Sequence, residues 1–118
     1  MPILDVEIVT AFGETLDEGL ARALADLAGE VFGSEPGRTW VRLRQLPESH
    51  YAENDAVSVL PVFVSVLLRD LPAGGALRAQ AHLLAAGIGE ACGRPAENVH
   101  ILYQPKASGR IAFGGDLG

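Results

Sequence analysis

The chain says the same thing twice, and no other feature limits its possible folds so strongly. A strand-like run, PILDVEIV, begins at Pro2, and another, PVFVSVLL, begins at Pro61. In the first, Ile3, Leu4, Val6, Ile8 and Val9 are apolar while Asp5 and Glu7 point the other way, which is strand periodicity. Each run leads through a Gly-containing turn into a helical stretch. Residues 15–33 place Leu16, Leu20, Leu24, Leu27 and Val31 on one stripe, and residues 75–93 do the same with Leu77, Ala81, Leu84, Ile88 and Cys92. Thr15 with Glu18 three residues later predicts a capping box on the first helix. Both helices close alike, with GEVFG at 29–33 and GEACG at 89–93, a glycine suited to a left-handed C-cap and a proline soon after. A strand follows each: TWVRLRQL and NVHILYQ.

The order strand–helix–strand, stated twice, predicts an α+β fold in a single domain. The first repeat covers 1–56 and the second 57–118, with 47–56 (PESHYAENDA) as a polar connector. Two such β-α-β units with right-handed crossovers form a four-stranded sheet with both helices on one face. Along VFVSVLL the apolar residues fall on both sides of the strand, so the other face also needs cover. Sheets stacked from several subunits supply it, and homo-oligomerisation is the expectation.

Composition narrows the partners. Among 118 residues, 48% are apolar and 20% charged, which fits a globular core. A formal net charge of −6 argues against nucleic acid or an anionic membrane surface, yet permits an anionic small substrate beside local arginines. Asp5 and Glu7 interrupt the first apolar stretch, so no signal peptide is expected there. The apolar run 56–68 is too short for a membrane span and contains Pro61. A cytoplasmic setting is the default expectation. Cys92, the single cysteine, has neither a disulfide partner nor metal-motif spacing and is expected to be buried. His50, His82 and His100 are too scattered to suggest a metal site, and no cofactor is expected.

A proline directly after the initiator methionine, a duplicated β-α-β unit of about sixty residues and the closing GRIAFGGDL resemble the tautomerase superfamily. The resemblance runs over essentially the whole chain and rests on the order of short motifs. Its smallest members, the 4-oxalocrotonate tautomerases, are single β-α-β chains. Macrophage migration inhibitory factor and malonate semialdehyde decarboxylase fuse two units. The resemblance implies a homotrimer with active sites at subunit interfaces, and an amino-terminal proline as catalytic base or acid.

Those implications give the residues roles. With Met1 removed, Pro2 is a secondary amine. Model α-amino groups titrate near ~7.7–8, and an apolar pocket lowers that value, so such an amine is a fit general base for moving a proton between an enol or 2-keto acid and carbon. With Met1 retained, the nitrogen is an amide and the chemistry fails. The alternative reading of Pro2 is a strand-opening proline, where a missing N–H costs little. Arg69, in VSVLLRDLP, is the first candidate to clamp a substrate carboxylate; the alternative is a solvated strand-end charge. Arg42 matches the second-strand arginine of the short tautomerases. In the second repeat the corresponding place is assigned to His100, which either bonds a substrate oxygen beside a neighbour's Pro2 or is an interface histidine. Ile111 and Phe113 are expected to wall the pocket, with Gly114 and Gly115 making a tight turn. Trp40 and Tyr103 fit either pocket or core.

The leading expectation is therefore a tautomerase acting on a small carboxylated enol or 2-keto acid. One rival is a decarboxylase or hydratase of the same superfamily, with protonated Pro2 as acid. The stretch after Gly33 (Ser34, Glu35, Arg38) lacks an aspartate at the matching place, and Asp116 comes too late, which disfavours water-adding chemistry. Another rival is a non-catalytic trimeric binding module.

Overall fold

The computed structural model describes residues 2–118; Met1, and with it the question of its removal, lies outside the described residues. The chain order is β1 (Ile3–Thr10), α1 (Leu20–Phe32), β2 (Trp40–Pro47), β3 (Val62–Leu67), α2 (Gly74–Cys92), β4 (Val99–Tyr103) and a terminal hairpin of β5 (Ala112–Phe113) and β6 (Asp116–Leu117). The main sheet runs β2-β1-β3-β4. Strands β1 and β2 are parallel, as are β3 and β4, and the two halves meet antiparallel along β1 and β3. This is the duplicated β-α-β arrangement expected from the repeat.

Both helices cover the same side of the sheet. Leu4, Val6 and Ile8 of β1 and Val62, Val64 and Val66 of β3 are at most 1% exposed. They pack against Leu20, Leu24 and Ala28 of α1 and Leu84 and Ile88 of α2. At roughly 1.5–3 kcal/mol for each large apolar side chain buried, this layer is the main stabiliser of the chain. Cys92 packs at its edge, and burial pushes the thiol up to about 11, away from thiolate chemistry.

The first helix starts later than its sequence suggests. Leu20 follows a turn in which its N–H donates to the Asp17 carbonyl, and the Gly19 N–H meets Asp17 Oδ2 at 3.3 Å. No Thr15–Glu18 capping box forms, and the helix has no side-chain cap bond. The acidic group at the helix start is Asp17 because the turn precedes the first buried position, Leu20.

The repeat is also out of phase by one residue with the Pro2–Pro61 match. The C-caps Gly33 and Gly93 stand sixty residues apart. The ladders agree, because Ile3 opposite Trp40 becomes Phe63 opposite His100 after the same shift. A fifty-nine-residue shift would exchange the two faces of every strand, since side chains alternate with period two. Val62, not Pro61, therefore occupies the place of Pro2 in the second half. By the same register His100 corresponds to Trp40, and Arg42 corresponds to Leu102 rather than to His100.

One close approach locks the end of α2. A Cβ on Gly89 would stand 2.6 Å from the Arg94 carbonyl oxygen. Gly89→Ala must push the helix end from the following turn, and we expect a loss of about 1–3 kcal/mol, read from the urea midpoint.

Candidate active site

The second face of the sheet has no helix on it. Its side chains form three rows across the strands: Trp40, Ile3 and Leu67; Arg42, Asp5, Ser65 and Leu102; Arg44, Glu7, Phe63 and His100. Trp40 is 47% exposed and Leu102 64%, so this face is both wet and apolar, as the pattern of VFVSVLL suggested.

Pro2 directly precedes Ile3, the first-row residue of β1. It is buried, and its carbonyl accepts the Trp40 N–H at 3.0 Å, which extends the β1–β2 ladder by one residue. The carboxy-terminal segment is drawn across the first-row end of the face. The N–H groups of Ala107 and Ser108 donate to the carbonyls of Leu68 and Arg69, continuing along β3. The chain then turns into the hairpin, whose two central residues, Gly114 and Gly115, have φ of 61° and 95°. A two-residue hairpin turn of this hand requires positive φ at both positions, as the glycine pair predicts. Phe113 meets Trp40 edge-on, with ring centroids 5.7 Å apart.

Between the open sheet face and this tail lies a groove of about 560 Å³. Ile3, Trp40, Leu67 and Ile111 give it apolar walls; Asp5, Arg42 and Arg110 are its charged groups. Arg42 grips Asp5 with a two-bond fork, Nε to Oδ1 at 2.6 Å and Nη2 to Oδ2 at 2.8 Å. Arg44 stands 4.0 Å from the same carboxylate. The Arg42 hydrogen bond holds the Asp5 carboxyl below its usual range, against the opposing effect of partial burial. Arg110 donates from Nη1 to the Lys106 carbonyl at 2.9 Å. Among the described residues no carboxylate lies within 4 Å of it.

Several expected residues meet here and several do not. Arg42 and Ile111 line the groove, and Phe113 braces it through Trp40. Arg69 is 70% exposed beyond the groove lining, with Asp70 at 3.9 Å. His100 stacks on Phe63, 5.6 Å between ring centroids, at the far end of the open face. There it lines a smaller depression of about 290 Å³ with Glu7 and Arg44. Tyr103 points to the helix side and donates its hydroxyl hydrogen to Gln80 Oε1 at 2.8 Å, so it belongs to the packed layer. Arg110 and the Asp5 partner of Arg42 escaped the sequence reading. The only signal for Arg110 was its place beside Ile111.

No protein-family model matches the chain, and no curated protein matches its sequence. Solved structures do match in fold. A fused 4-OT, solved as a wild-type symmetric trimer, superposes with a TM-score of 0.79 at 17% identity, over 98% of this chain and 94% of that one. Macrophage migration inhibitory factor from Oncomelania hupensis gives 0.77 at 18% identity, over 99% of this chain and 81% of that one. The FG41 malonate semialdehyde decarboxylase, inhibited by 3-bromopropiolate, gives 0.71 at 15% identity, over 95% of this chain and 88% of that one. The chain thus has the fold of the tautomerase superfamily. The matched structures are a 4-OT, a migration inhibitory factor and a decarboxylase, so the likeness shows the fold and not the reaction.

Proposed function

We propose that the chain is a tautomerase of this superfamily, with Pro2 as its general base once Met1 is removed. The observation that carries the reading is that Pro2 directly precedes Ile3 and is hydrogen-bonded to Trp40, two residues that line a groove with apolar walls and arginines. In the proposed reaction the Pro2 nitrogen takes a proton from an enol hydroxyl, or from the carbon α to the carbonyl, of a small carboxylated substrate. It returns the proton to another carbon of the same molecule. Apolar walls of the kind that Ile3, Trp40 and Ile111 give the groove would disfavour the ammonium form of an amine held against them.

We also propose that three copies close their open faces against one another and complete each groove at an interface. In that arrangement His100, remote from Pro2 in its own chain, and Arg69, at the tail crossing, serve a neighbour's groove. The fused 4-OT trimer supports this reading. Light scattering is expected to give three times the 12.4 kDa chain mass; a monomer would remove the interface placement of both residues.

The test of activity is ketonisation of phenylenolpyruvate and 2-hydroxymuconate by a preparation whose intact mass shows Met1 gone. Catalysed ketonisation is the expected result. Release of carbon dioxide from a 3-oxo acid without ketonisation would instead favour the decarboxylase, and neither activity would leave a trimeric binding module.

A further inference from the structure

The charged groups lining the groove are not equivalent. Arg42 has spent one edge of its guanidinium on Asp5, at 2.6 and 2.8 Å, while Arg44, 4.0 Å from the same carboxylate, lines the neighbouring depression and not this groove. A substrate carboxylate arriving at Arg42 would meet a guanidinium already neutralised and a second carboxylate beside it, and like charges at that range repel. Arg110 is different. One N–H is used by the Lys106 carbonyl, and the remaining donors are free for the planar two-bond fit that carboxylates take. Two cations and one anion leave the lining with a single net positive charge, and that charge is carried by Arg110. The rest of the lining is mostly apolar, from Ile3, Trp40, Leu67 and Ile111.

We propose that Arg110 anchors the substrate carboxylate in this groove, and that the Asp5–Arg42 pair restricts the groove to substrates with one carboxylate and an apolar remainder. This deepens the tautomerase reading and rests on it for the identity of the ligand as substrate. Arg110 supplies the one uncompensated positive charge, whereas Asp5 removes the second that a dicarboxylate needs. Asp5 is thus a specificity residue acting through Arg42.

The test is calorimetric binding of two inert acids, hydrocinnamate with one carboxylate and adipate with two, to the purified protein. Wild type is expected to bind hydrocinnamate at least about tenfold more tightly than adipate, the worth of one charge-assisted hydrogen bond. Arg110→Gln should weaken hydrocinnamate about 10–100-fold, and Arg110→Lys should restore part of that loss. Asp5→Asn frees Arg42 and should turn the preference toward adipate by about tenfold. Arg110 is exposed on the tail, so its substitution leaves the packed layer intact even if Asp5→Asn lowers the yield of folded protein. The proposal is overturned if wild type binds neither acid, if Arg110→Gln binds like wild type, or if a folded Asp5→Asn keeps the original preference. Binding of an inert acid needs no free amine. A protein that holds hydrocinnamate through Arg110 yet ketonises nothing therefore refutes the tautomerase reading alone. Ketonisation with an unchanged KM in Arg110→Gln refutes the anchor alone.

Discussion

Pro2→Ala is expected to lower kcat/KM for ketonisation by about 10²–10⁴-fold, the usual contribution of a positioned acid–base group. The substitution keeps an α-amino group but loses its position. The pyrrolidine ring ties the nitrogen to its own side chain, and Pro2 is buried at the strand end with its carbonyl bonded to Trp40. An alanine amine rotates freely and hydrates more easily. The loss should appear mainly in kcat, because Pro2 is not asked to hold the carboxylate. A loss confined to KM would move Pro2 from the proton-transfer role to a binding one.

The second large effect concerns stability and a residue far from the groove. Arg94 is 11% exposed and ties four separate parts of the chain together. Its Nε donates to the Leu60 carbonyl at 2.9 Å, Nη2 to the Val9 carbonyl at 2.8 Å and to Glu14 Oε1 at 3.0 Å, and Nη1 to Glu14 Oε2 at 3.2 Å and the Cys92 carbonyl at 3.3 Å. Arg94→Ala leaves those acceptors without their donor, and the expected loss is about 3 kcal/mol, the low end for a broken buried pair because Glu14 still reaches water. Urea unfolding should show it as a shifted midpoint with little change in slope.

The same cluster predicts a pH dependence. The Arg94 hydrogen bond, with the Ala11 N–H, depresses the folded-state value of Glu14. A depressed carboxyl stabilises the fold above its unfolded value, near ~4.3, and the contribution is lost as pH falls through the folded value. Asp5 acts with the same sign. Wild type should therefore lose stability on acidification below about pH 4, and Glu14→Gln should flatten part of that slope. An unchanged slope in Glu14→Gln would mean that the Glu14–Arg94 pair does not report on folding.

Much of the fold was legible because duplicated periodicity is hard to mistake. Leu20, Leu24, Leu84 and Ile88 all fell on the helix stripes and all are buried. The phase of the repeat was harder. Pro2 and Pro61 align by letter at fifty-nine residues, while GEVFG and GEACG align at sixty, and the caps and ladders follow the sixty. Trp40 and His100 are therefore equivalents. The helix start was misjudged for a related reason: Thr15 and Glu18 have capping spacing, but where the turn closes depends on Leu20 reaching the core.

The site was legible in part. GRIAFGGDL predicted a tight turn at its glycine pair, which forms, and Ile111 lies in the groove lining. Which arginine carries free charge there was not legible. Arg42 is tied up by Asp5, thirty-seven residues away in sequence and adjacent only through the β1–β2 register. Arg110 is displayed by a tail whose path depends on bonds to Leu68 and Arg69. Arg94 follows the α2 C-cap Gly93 and carried no sequence signal of its own, because its five bonds need the whole fold to exist.

The central claim is that the Pro2 nitrogen, as a free amine, moves the proton. It is tested most directly by comparing ketonisation rates of two preparations of the wild-type sequence that differ only at that nitrogen, one with Met1 removed and one with Met1 retained, each verified by intact mass. Catalysis by the Met1-free protein and none by the Met1-bearing protein is the predicted result; equal rates from the two would contradict it.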